Sequence, residues 1–170
     1  MQSMPPGSSS SPPANESPYP EAVSLYWVDN VAIMAWREPV TARVADAIFE
    51  RAEPQRKRYP GGISYVHIGR VEYAMMDGAA RRSLARMGRE LGNQVISVAV
   101  VVRASGFLAS TLRSICTGIM VMANQDVELR FHTQPEEVLG WLPAKHEKTG
   151  GVKLNVERLR RALSLVAEDS

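Results

Sequence analysis

The apolar positions of this chain come in short runs separated by turn and capping residues, and their spacing predicts the elements. Val23-Ser24-Leu25-Tyr26-Trp27-Val28 and Val31 to Trp36 are two strand-length runs on either side of Asp29-Asn30. A turn that short leaves no room for a crossover, so the pair predicts an antiparallel hairpin. Thr41 then stands as an N-cap before Val44, Ala45, Ile48, Phe49 and Ala52, which recur at helical spacing until Pro54 and Arg56-Lys57-Arg58 end the helix. After the Pro60-Gly61-Gly62 turn, Ile63 to Ile68 predicts a third strand, and a loop leads to Asp77. Asp77 caps a helix over 78–91, with Leu84, Met87, Gly88 and Leu91 on its apolar stripe and Arg82, Arg86 and Arg89 on another face.

Val95 to Val102 is almost wholly β-branched, the pattern of a central strand covered on both faces. The stretch 107–123 is apolar around most of its circumference, with Leu108, Leu112, Ile115, Ile119 and Met122 as the expected spine of a helix. Residues 127–132 alternate as a half-buried strand. Thr133-Gln134-Pro135-Glu136 reads as a capping box opening a short helix that Pro143 closes. The order β-β-α-β-α-β-α-β-α predicts an α/β fold: a mixed, mainly parallel sheet with an N-terminal antiparallel hairpin and helices packed on it.

The same pattern divides the chain. Residues 1–20 hold six of the eleven prolines, six serines and one charged side chain, Glu16. They read as a disordered leader, whose apolar surface is too small to offset its ordering entropy; its Pro-Pro pairs favour local polyproline II. Residues 21–142 form the domain, 143–154 a linker and 155–170 an amphipathic helix capped by Asn155. The Val156, Leu159, Leu163 and Val166 stripe of that helix has to be covered by its own domain or by a second copy, which leaves a homodimer open.

Composition then narrows the chemistry. The net charge of +2 gives no reason to expect nucleic acid or an acidic membrane as partner. A single cysteine, Cys116, excludes an internal disulfide and a cysteine-rich zinc site. His67, His132 and His146 lie far apart, and neither a G-x-G-x-x-G nor a Walker A sequence occurs, so no metal or cofactor is implied. The first twenty residues carry no signal-peptide pattern, and the longest apolar run is far short of the roughly 20 residues of a membrane span. The expected location is the cytoplasm.

With Met76-Asp77-Gly78-Ala79-Ala80 between the third strand and the second helix, residues 22–142 resemble the STAS domain, the fold of bacterial anti-sigma-factor antagonists and of the cytoplasmic part of sulfate transporters. That family commonly reads Met-Asp-Ser-Ser-Gly there, and its first serine is phosphorylated by a partner kinase. Gly78 stands at that position and Ala79 follows, so the chain also resembles a variant group of STAS-like proteins lacking the phosphorylatable serine. The resemblance implies a non-enzymatic, regulatory protein–protein interaction module. Its loop 69–77 and the following basic helix would dock the partner through Asp77, Gly78, Arg82, Arg86 and Arg89, and the arginines would suit an acidic protein surface.

Two further readings compete with it. One is a small-molecule or lipid-binding domain that uses the space between the sheet and the 107–123 helix. The other is a hydrolase-like enzyme built on His67, which ends a strand at the edge where parallel sheets bind ligands, with Glu72 or Asp77 as acid/base partner. Each residue also has a plainer account: Asp77 as a cap, His67 as a structural histidine, the arginines as a solvated face.

Overall fold

Five strands lie side by side in sequence order: β1 (Val23–Val28), β2 (Val31–Trp36), β3 (Ile63–Gly69), β4 (Val95–Val102) and β5 (Glu128–His132). β1 runs antiparallel to β2 across the Asp29-Asn30 turn, and every other pair is parallel. The computed structural model describes residues 13–149 and 152–168; the leader up to residue 12, with the Pro-Pro pair at 5–6, lies outside the described residues. Parallel strands in sequence order need right-handed crossovers of one sense, which puts their connecting helices on one face. These are α1 (Ala42–Arg51), α2 (Glu53–Arg58), α3 (Val71–Ala74), α4 (Gly78–Leu91) and α5 (Gly106–Met122). The other face is covered by α6 (Pro135–Leu139), α7 (Leu142–Lys148) and α8 (Val156–Glu168).

Strand alternation sorts the core between the two covers. Val66, Ile68, Ala99 and Val101 face Val138, Leu142, Leu159 and Leu163, whereas Val98, Val100 and Val102 face α5. Three of the four N-caps read from the sequence are made as expected. Thr41 Oγ1 accepts from Val44 N at 3.3 Å, Asp77 Oδ1 from Ala80 N at 2.8 Å and Asn155 Oδ1 from Arg158 N at 3.1 Å. Gly62 has φ +116°, and a Cβ there would lie 2.9 Å from both Gln94 O and Ile96 Cγ1, so only glycine fits between β3 and β4.

Several boundaries differ from the expected ones, for identifiable reasons. Pro54 and Pro143 do not end helices but sit in the first turn of α2 and α7, where a missing N–H leaves no bond unmade. Half of the expected linker is therefore helical. The Thr133 capping interaction closes on Glu137, not Glu136: Thr133 N and Oγ1 donate to the two Glu137 carboxylate oxygens at 3.0 and 2.9 Å. The α8 stripe is covered by its own domain, with Leu159, Leu163 and Val166 buried and Val156 left exposed. The leader is ordered from at least Asn15, which docks along the free edge of β1. Leu25 N donates to Asn15 Oδ1 at 3.0 Å, Asn15 Nδ2 donates to Ser24 Oγ at 3.1 Å and Glu16 N donates to Leu25 O at 2.8 Å. That segment satisfies edge groups that would otherwise be open to pairing with another chain.

α7 is tied to the sheet by a buried polar chain. His146 Nε2 donates to Asn30 Oδ1 at 2.7 Å, and Asn30 Nδ2 donates to Gly62 O at 2.8 Å. His146 Nδ1 accordingly accepts from Ser64 Oγ at 2.8 Å, and Ser64 Oγ accepts from Ser97 at 2.9 Å. Only one tautomer satisfies every member. Ser64, His146 and Asn30 have the atom types of a hydrolytic triad, yet none is more than 1% exposed, so substrate has no access to them.

Two outcomes are expected. Asn15→Ala should cost about 1 kcal/mol, seen as a lower urea midpoint with an unchanged slope. Burial holds the His146 imidazole below its ordinary 6.5, with the Asp29 carboxylate opposing that shift. The unfolded chain then binds a proton that the native one refuses, so this contribution is intact above pH 6.5 and is lost as pH falls through the lower native value. His146→Ala should remove that part of the acid sensitivity in urea titrations and cost about 3 kcal/mol at pH 7, because Asn30 and Ser64 lose their partner.

Candidate functional site

Between the sheet and the layer formed by α1, α4 and α5 lies a cavity of about 210 Å³. Its origin is the way α5 is held. At the C-terminal end of α5, Gly88 of α4 comes so close that a Cβ on it would lie 2.6 Å from Ala123 Cβ. Gln125 Nε2 donates to Gly88 O at 2.6 Å, and Arg89 Nη1 donates to Met122 O at 2.7 Å. Near its start, Leu112 packs on Val71, Val100 and Val102. Between these fastenings Cys116, Ile119 and Met120 look onto open space. Of the expected α5 spine only Leu112 is buried; Leu108 and Met122 are 47% and 45% exposed. α5 spans the gap as a roof and does not fill it.

The cavity wall is apolar except at a few points, and of these His67, Tyr65 and Cys116 are held neutral while Arg70 is ion-paired. His67, on β3, lines it. Trp36 Nε1 donates to His67 Nδ1 at 3.3 Å, and the two rings are within 7° of parallel with centroids 6.3 Å apart. Burial pulls the His67 imidazole down to about 4, so it is neutral at physiological pH. Burial pushes the Tyr65 hydroxyl up to about 12, against a smaller opposing effect of Arg56, and the Cys116 thiol up to about 11. Arg70 at the rim is paired with Glu72 at 3.6 Å.

The other expected site residues are distributed differently. Glu72 serves Arg70, and Asp77 caps α4, so neither carboxylate hydrogen-bonds His67 and the expected acid/base pair is not assembled. Gly78 opens α4, and a Cβ there would meet only the flexible end of Arg82, at 3.2 Å. Arg86 bonds Asp46 at 2.8 Å and Glu90 at 3.1 Å, and Arg89 holds α5, so two of the three expected docking cations have structural partners. No cluster of metal-ligating side chains forms among the described residues, and no helix among them is long and apolar enough to cross a membrane. Compared with models of known families, with curated proteins and with solved structures, the chain matches none.

His67, the 107–123 helix and a binding space between that helix and the sheet were legible as candidates; the volume of that space and the residues lining it were not. Its one sequence trace is the apolar circumference of that helix, which lacks a clear outer face. Gly88→Ala should drive its new methyl into Ala123 and lever α5 from α4. A loss of about 1–3 kcal/mol in urea unfolding is expected, with a measurable increase in amide exchange along α5.

Proposed function

We propose that the protein is a binding domain for a small apolar molecule, held between the sheet and α5. The observation that carries this is the cavity itself. Protein interiors are close-packed, and voids larger than a water molecule are few. The wall around these 210 Å³ is almost wholly apolar, and a ligand that displaces water from it gains the hydrophobic free energy of the area it covers. The wall chemistry supports the same reading, because Tyr65, His67 and Cys116 are all held in their uncharged forms.

A second reading, the non-enzymatic docking module of STAS-like type, is favoured by one surface. Asp77, Gly78, Ala79 and Arg82 are exposed together at the start of α4, and Arg82 has no acidic partner among the described residues. Both functions can reside in one domain, since α4 also forms part of the cavity wall.

The direct test is thermal denaturation with ethylbenzene as probe. At ten times its dissociation constant it should raise the melting temperature by about 3–5 °C. Cys116→Phe, which puts a ring into the cavity, should raise the melting temperature without ligand and abolish the response to ethylbenzene. A native chain indifferent to ethylbenzene would sink the ligand-binding reading.

A further inference from the structure

His67 is the one wall residue whose polar atoms are divided between protein and cavity in a definable way. Trp36 Nε1 can only donate, so His67 Nδ1 must be the accepting nitrogen and the ring proton sits on Nε2. Nε2 lies on a different edge of the imidazole from Nδ1, so with Nδ1 on Trp36 it is left for another partner. No protein atom among the described residues accepts from this N–H, and it is not among the polar atoms sealed without a partner. The ring has protein around it yet keeps accessible area, and the space it borders is the cavity. An acceptor supplied by a ligand in the cavity would meet this N–H with a net gain of about 0.5–1.5 kcal/mol, enough for roughly a tenfold preference at the upper end.

We propose, building on the ligand-binding reading above, that the cavity takes a neutral, mainly hydrocarbon molecule with a single hydrogen-bond acceptor, a carbonyl oxygen, which His67 Nε2–H holds. Size sets the upper end of the class. An engineered 150 Å³ cavity accommodates benzene, so 210 Å³ suits about eight to ten non-hydrogen atoms. Charge sets the other limit. Among the described residues the only cation in the wall, Arg70, is paired with Glu72 and stacks 5.8 Å from the Tyr73 ring centroid, leaving no free cation among them to balance a carboxylate inside. His67 is the anchor that gives such a ligand one orientation; the apolar wall gives it affinity.

The test compares three probes of nearly equal shape on the full chain by calorimetry: ethylbenzene, acetophenone and benzoate. Acetophenone should bind about tenfold more tightly than ethylbenzene, and benzoate more weakly than acetophenone. His67→Phe should erase the acetophenone preference while keeping ethylbenzene binding. Independently of any variant, 15N spectra of the native chain should show His67 protonated at Nε2, with that resonance moving when acetophenone is added. Equal affinity for ethylbenzene and acetophenone, or an Nε2–H signal that acetophenone leaves unmoved, overturns the anchor while the ligand-binding reading stands. Tighter binding of benzoate overturns the neutral class. Binding of none of the three removes the ligand-binding reading and the anchor with it.

Discussion

A mainly parallel sheet has to be covered on both faces, because its strands carry apolar side chains above and below. β4 imposes this most strongly: Ala99 and Val101 need one cover, Val98, Val100 and Val102 another. The crossovers supply only one of these covers, since strands laid down in sequence order place α1, α4 and α5 on the same side. The second must come from the chain after β5. α6, α7 and α8 provide it, and the rest of the architecture follows from that division of labour.

The two covers solve the packing problem differently. The C-terminal helices press an apolar core onto the sheet, and where α7 meets the strand ends every side-chain polar atom of Asn30, Ser64 and His146 is matched by a neighbour. A network that is satisfied throughout fixes one arrangement. On the opposite face α5 meets α4 at Gly88 and the sheet at Leu112, and a helix pinned at two ends cannot also descend into the space between. Polar groups follow the same contrast. His146 uses both ring nitrogens on protein, whereas His67 uses one and turns the other toward open volume. The closely packed face and the face with the cavity share the same strands, so one side chain set of β3 and β4 is fully covered and the other borders open space.

Charge on α4 illustrates how placement changes a residue's role. Arg86 and Arg89 fall on one stripe of the sequence with Arg82, yet the first binds Asp46 and Glu90 and the second reaches Met122 O. Arg82 alone of the three extends over the helix start beside Gly78. The Asp77 carboxylate is occupied with Ala80 N, so the exposed start of α4 is a capped helix end that presents one guanidinium.

The sequence by itself determined the elements whose causes are local. The hairpin at Asp29-Asn30, the caps Thr41, Asp77 and Asn155, and the double-faced β4 are written in residue types within a few positions of one another. Tertiary structure alone decided what depends on contacts far apart along the chain. Asn15 closes the β1 edge ten positions away, and His146 meets Asn30 across 116 positions. Pro143 carries no local sign that its helix will be held by a buried histidine, so the segment around it reads as linker. The size and lining of the cavity were hidden for a related reason. Helical periodicity records which side chains are apolar, but the distance between a helix and a sheet is set where they touch, at Gly88 with Ala123 and at Leu112 with Val100.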